Sequence, residues 1–167
     1  MTPGSVRGQR QRVISDRAVG EASRRAGIAR EQLRVTSKLP GRHHHYKEAL
    51  ATIEESLYRA QLDSYDQYLI HWPNPSKDLY VEAWTALIEA RKRGLVRSIG
   101  VCNFLPAHLE RIIAETGVTP AVNQTELHPH FPQAEQRAFN AAHGLSLIHI
   151  RRCRRSPPCR SWSSPYP

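Results

Sequence analysis

Ten residues, Asp66-Gln67-Tyr68-Leu69-Ile70-His71-Trp72-Pro73-Asn74-Pro75, constrain this chain more than any other stretch. Tyr68, Leu69 and Ile70 are apolar without alternation, which suits a strand covered on both faces, as in a parallel sheet. Pro73 and Pro75 cannot donate to a ladder, so the strand must stop there. His71 is thereby placed at the C-terminal end of a buried parallel strand, where α/β folds put their chemistry. A histidine there can also be a mere strand cap. What stands at the other strand ends decides between the two.

The rest of the chain repeats that strand in alternation with helices. Ala18, Val19, Ala22 and Ala26 form a weak helical stripe with Gly27 as its stop signal. Leu33 to Lys38 reads as a strand ending in a lysine. Ala49, Ile53, Leu57 and Ala60 then recur at helical spacing, predicting an amphipathic helix over about 46–61. After the His71 strand, Leu79, Trp84, Leu87 and Ile88 mark a helix closed by Gly94. Val96 to Val101 is the third strand and Pro106 to Glu115 the helix after it. Pro120 to Gln124 is a fourth strand, and Pro132 to His143 a last helix with proline near its start. Such alternation with short loops predicts βαβ units and a parallel sheet. No G-x-G-x-x-G follows the first strand, so a nucleotide-binding doubly wound sheet has no support. The expected fold class is α/β, a partial (β/α)8 barrel of four strands. With 167 residues the chain is short for the closed form, which needs roughly 200 or more.

Charge first points elsewhere. The net charge is +9, which raises the question of nucleic acid or membrane. Residues 1–15 hold Arg7, Arg10 and Arg12 and no acid, and residues 151–167 hold five arginines and no acid. The 16 basic residues between them face 15 acidic ones, so the folded part is nearly neutral. The terminal arginines could release counterions from nucleic acid, but no aromatic residues interleave with them on a folded platform. No specific nucleic-acid partner is expected. Three cysteines make no disulfide framework, residues 1–15 hold no apolar stretch resembling that of a signal peptide, and no apolar run approaches the roughly 20 residues of a membrane span. The expected location is cytoplasmic. His43-His44-His45 invites a metal, yet consecutive residues cannot all aim at one centre and no second cluster completes it. No metal is expected.

The two ends differ in texture from the middle. Residues 1–15 show no periodicity and read as disordered or miscoded. Leu145-Ser146-Leu147-Ile148-His149-Ile150 leads into the arginine cluster and a Ser/Pro-rich end, and resembles a translated transposase-adapter end from library preparation. The organisation expected is a terminus over 1–15, a barrel portion over 16–144, and a basic, non-native tail over 145–167.

Four strand ends then line up: Lys38, His71, Cys102-Asn103 and Gln124. Burying a lysine costs several kcal/mol unless it is paired, so a lysine beside a histidine and two amides points to a site. Val35-Thr36-Ser37-Lys38-Leu39, Tyr68 to Pro73, Gly100-Val101-Cys102-Asn103-Phe104 and Asn123 to Pro129 resemble successive strand-end motifs of the aldo-keto reductase family. The texture is that of the bacterial branch that includes 2,5-diketo-D-gluconate reductases, over about residues 16–144.

The resemblance implies strands three to six of a (β/α)8 barrel that binds NADP(H) in an extended pose and transfers hydride to an aldehyde or ketone. A family tyrosine protonates the developing alkoxide, a lysine lowers its pKa, an aspartate pairs with the lysine, and a histidine orients the carbonyl. This is physically sensible, since a phenol near pKa 10 is a poor acid at neutral pH without a neighbouring cation. Lys38 matches that lysine and His71 that histidine. Asn103 and Gln124 match amides that hold the nicotinamide carboxamide. Cys102 stands where serine is usual and is a weaker hydrogen-bond partner. Trp72 matches a substrate-pocket wall.

The departures are as informative. Aligning on Ala18-Val19-Gly20-Glu21 puts Val13 at the tyrosine position, with no aspartate upstream. The later strands, and the basic loop that grips the cofactor's 2′-phosphate, have no counterpart. The expectation is a fragment of an NADPH-dependent reductase of keto-sugar type, monomeric as the family usually is, with a small carbonyl compound as substrate and no turnover of its own. A non-catalytic cofactor-binding module of the same fold, or nonspecific nucleic-acid binding through the tail, are the alternatives.

Overall fold

The structure, a computed structural model, describes residues 16–150 except 23, 26, 28 and 129, with backbone alone at 147–150. Helical backbone over 16–22 and 24–25 precedes the first strand. Five strands follow: β1 (Thr36–Leu39), β2 (Tyr65–Ile70), β3 (Val96–Cys102), β4 (Val122–Glu126) and β5 (Ser146–Ile150). Between them run α1 (Tyr46–Ala60), α2 (Tyr80–Lys92), α3 (Pro106–Thr116) and α4 (Ala134–Ala142). The strands lie in sequence order in one sheet and every pairing is parallel. This is the open arc of a (β/α)8 barrel, as expected.

The strand count is corrected from four to five. Residues 146–150, read from sequence as part of a tail, pair with β4 from Val122↔Ser146 to Glu126↔Ile150. Strand addition uses backbone groups, so the open edge of β4 accepts any extended segment delivered to it by α4. The expectations for residues 1–15 and 151–167 lie outside the described residues.

Each helix has a local cause. Ala49, Ile53, Leu57 and Ala60 are buried along one side of α1, so helical spacing becomes a packed stripe. Its first turn is capped from a neighbour: the Tyr46 N–H donates to Glu82 Oε1 of α2 at 2.7 Å, an acid at a helix N-terminus. Pro106 opens α3, and Gly117 closes it at φ 68° with its N–H on Ile113 O at 2.8 Å, a left-handed cap that glycine makes cheaply.

The main core lies between sheet and helices and includes Leu39, Tyr65, Tyr68, Ile70, Trp84, Ile99, Val101, Phe104 and Ile112. Trp84 is fully buried and donates Nε1–H to Val118 O at 3.2 Å. The opposite face, the barrel interior, holds a smaller apolar group of Leu69, Cys102 and Val122. At the N-terminal edge, Asp66 accepts the Val35 N–H at 2.8 Å and pairs with Arg30 and Arg97. Burial opposes ionisation there, but the Val35 N–H and the two guanidiniums outweigh it and hold the carboxyl below its ordinary range.

Candidate active site

Register places the residues singled out from sequence on one face and at one end. Lys38 lies beside Leu69, and Leu69 beside Gly100. Cys102 lies beside Gln124. Side chains alternate along a strand, so Lys38, Leu69, His71, Gly100, Cys102, Val122 and Gln124 all face the barrel interior. His71 stands two residues, roughly 7 Å, beyond the row of Lys38. Both emerge at the carboxyl rim on neighbouring strands.

Hydrogen bonds knit this rim together. The His71 N–H donates to Leu39 O at 3.1 Å, and His71 O accepts Asn103 Nδ2–H at 3.3 Å. The Asn103 N–H donates to Gln124 O at 3.0 Å, and Cys102 Sγ–H donates to Gln124 Oε1 at 3.4 Å. The Lys38 ammonium, on β1, is near enough to draw the Cys102 thiol's pKa down. Burial pushes the Cys102 thiol up to about 11 against the pull of Lys38, so it stays protonated and available as a donor. Cys102 is almost fully buried; its visible job is to occupy one side of the Gln124 amide and fix how that amide is turned.

Lys38 is half-buried, which corrects the expectation of a buried lysine. The rim opens on solvent, and a flexible stem lets the ammonium reach water. Asn103 is half-buried and has φ 60°, a left-handed conformation that asparagine tolerates better than most residues. Trp72 is 42% exposed, with its ring centroid 6.3 Å from that of His71. The structure therefore brings Lys38, His71, Trp72, Cys102, Asn103 and Gln124 to one rim.

Sequence reasoning missed the residues that fix the loops of this rim. Asn74, at φ 46°, donates Nδ2–H to Gly41 O at 3.1 Å, tying the loop after His71 to the loop after Lys38. Asp78, at φ 51°, pairs with Arg111 of α3, whose guanidinium also lies 5.2 Å from the Tyr80 ring centre. The Asn74-Pro75 dipeptide was a readable turn signal; nothing in sequence named its partner.

No tyrosine among the described residues takes the acid's place. Tyr65 and Tyr68 are buried beneath the helices, Tyr80 packs edge-on against Phe104 and His108, Tyr46 packs against the main core, and Tyr58 is exposed on α1. The described residues contain no group of three or more His, Cys, Asp or Glu placed to hold a metal ion, and no helix among them is long and apolar enough to cross a membrane.

An arc of parallel β/α units with its polar side chains gathered at the carboxyl rim defines part of a (β/α)8 barrel, a fold whose sites lie at that rim. Residues 11–151 match the model of the Aldo/keto reductase family, and the chain belongs to that family. It is 54% identical over 127 residues to 2,5-diketo-D-gluconic acid reductase B of Corynebacterium sp. (strain SHS752001), covering 76% of this chain and 46% of that protein. It is 49% identical over 131 residues to methylglyoxal reductase DkgA of Escherichia coli (strain K12), covering 78% and 47%. The chain thus spans about half the length of the curated relatives it matches. Among solved structures, the aldo/keto reductase from Brucella melitensis superposes with TM-score 0.79 at 45% identity, over 81% of this chain and 53% of that one. A Bombyx mori aldo-keto reductase in complex with NADP superposes with TM-score 0.72 at 32% identity, over 80% and 47%.

Proposed function

We propose that this chain carries the lysine, histidine and carboxamide-binding part of an NADPH-dependent reductase of aldehydes or ketones of keto-sugar type, and that it does not turn over by itself. The observation that carries the reading is the convergence of Lys38, His71, Asn103 and Gln124 at one carboxyl rim. Two side-chain amides on adjacent strand ends each offer a donor and an acceptor, which is the complement of a nicotinamide carboxamide. The donor set therefore fits the group that the Bombyx mori relative holds. Asn103 and Gln124 would hold the carboxamide, with Cys102 fixing the turn of Gln124. The nicotinamide, when bound, supplies the hydride.

This chain's own residues act on the other partner. His71 would donate to the carbonyl oxygen and orient it, Lys38 would stabilise negative charge developing there, and Trp72 would wall the pocket. Donors aimed where charge develops lower the barrier more than donors aimed at the ground state. The names of the two relatives support a small carbonyl compound as substrate. Inactivity follows from the acid: Val13 stands where the family's tyrosine is expected. On this reading residues 16–144 are the reductase portion, residues 145–167 are a foreign tail, and the protein is cytoplasmic.

The test is NADPH oxidation with 2,5-diketo-D-gluconate and with methylglyoxal, beside NADPH binding followed by tryptophan fluorescence. Binding without turnover is expected, and Gln124→Ala is expected to weaken binding about tenfold, the worth of one good hydrogen bond pair. Turnover by the chain as it stands would overturn the inactivity, and binding indifferent to Gln124 would overturn the site.

A further inference from the structure

Asn103 sits at φ 60°, a left-handed conformation that asparagine tolerates better than most residues but that its flanking contacts must still select over the broader right-handed and extended regions. On its N-terminal side the ladder of β3 ends at Cys102, and the Asn103 N–H is already spent on Gln124 O. On its C-terminal side stands Phe104, fully buried and packed edge-on against Tyr80 and His108. The Phe104 backbone has lost the ladder, yet both of its polar groups are satisfied by one side chain. Asn123 Nδ2–H donates to Phe104 O at 2.9 Å, and the Phe104 N–H donates to Asn123 Oδ1 at 3.4 Å. Asn123 is itself completely buried, on the helix-facing side of β4, pointing away from the rim.

We propose that Asn123 is a positioning residue: its carboxamide clamps the Phe104 backbone and so locks Asn103 in the left-handed turn that presents the Asn103 amide to the cofactor. Asn123 and Gln124 are neighbours in β4 and point to opposite faces. One strand thus supplies a carboxamide to the site and, from its back, the clamp that fixes the second carboxamide. An apolar residue of the same size would leave two buried backbone groups unpaired, and the loop would relax towards conformations in which they find water. Asparagine is needed because a single side chain must accept from N–H and donate to C=O at once.

The proposal rests on the cofactor role given to Asn103 above, and the experiment separates the two. Amide hydrogen exchange, thermal melting and NADP binding would be measured on the chain and on Asn123→Leu, Asn123→Ala and Asn103→Ala. In the unsubstituted chain the Phe104 amide is expected to be strongly protected. In either Asn123 variant, Asn103 and Phe104 are expected to lose protection while the amides of β1 and β2 keep theirs. NADP affinity is expected to fall about tenfold, as far as in Asn103→Ala, the scale of one lost buried hydrogen bond. Unprotected Phe104 in the unsubstituted chain, or Asn123 variants that keep both protection and affinity, would overturn the clamp; the first reading needs no variant to fold. Affinity unmoved in Asn103→Ala would instead overturn the cofactor role, with the exchange data still deciding whether Asn123 fixes Asn103.

Discussion

His44 is 1% exposed, and neither ring nitrogen has a hydrogen-bond partner. Burial, with Lys77 and His43 nearby, lowers its pKa to about 4. A neutral imidazole is thus enclosed in the loop after Lys38, where protonation is opposed. Because the folded pKa lies below the unfolded one, this residue leaves stability untouched above about pH 6.5 and subtracts from it as pH falls towards 4. At pH 5 the loss relative to pH 8 is expected to be about 1–2 kcal/mol. Urea unfolding of the chain and of His44→Leu at both pH values checks this: the leucine variant should lose less on acidification and should be no less stable at pH 8. A polar group with no partner contributes nothing that an apolar side chain of similar size would not.

At the scale of elements, the carboxyl rim depends on how closely its strands approach. A β-carbon at Gly100 would lie 2.5 Å from Val122 Cγ1, 2.7 Å from Val122 O and 2.9 Å from Leu69 Cδ2. Gly100→Ala is therefore expected to cost about 1–3 kcal/mol, the usual penalty for overpacking, read as a lower urea midpoint. The same variant should weaken NADP binding, because spreading β3 from β4 separates Cys102 from Gln124. The loop after His71 obeys a second rule. Asn74 combines a left-handed backbone with its bond to Gly41 O, so Asn74→Ala loses both the bond and the residue type that tolerates φ 46°. Asn74→Gly loses only the bond. Denaturation should rank them wild type, Gly, Ala in falling stability, with Ala about 1 kcal/mol below Gly.

For the molecule as a whole, the described sheet is open, with β1 and β5 each paired on one side only. Unpaired strand edges recruit other strands. Sedimentation velocity over a concentration series is therefore expected to show association that grows with concentration, and a single monomeric species throughout would contradict it. The strand-helix alternation, the parallel pairing and the rim carrying Lys38, His71, Asn103 and Gln124 were all legible in the chain, because a buried parallel strand is written as a short apolar run and its end as a polar residue or proline. The fifth strand was not legible, since pairing with β4 draws on backbone groups that every sequence possesses. Nor were the pairings of Asn123 with Phe104, Asn74 with Gly41 and Arg111 with Asp78, each spanning at least 19 residues. Local pattern by itself determined which residues reach the rim, for that depends only on where each strand begins and ends. Tertiary structure alone decided how they are held there, because a clamp is a match in distance and donor geometry between segments that sequence leaves unordered in space.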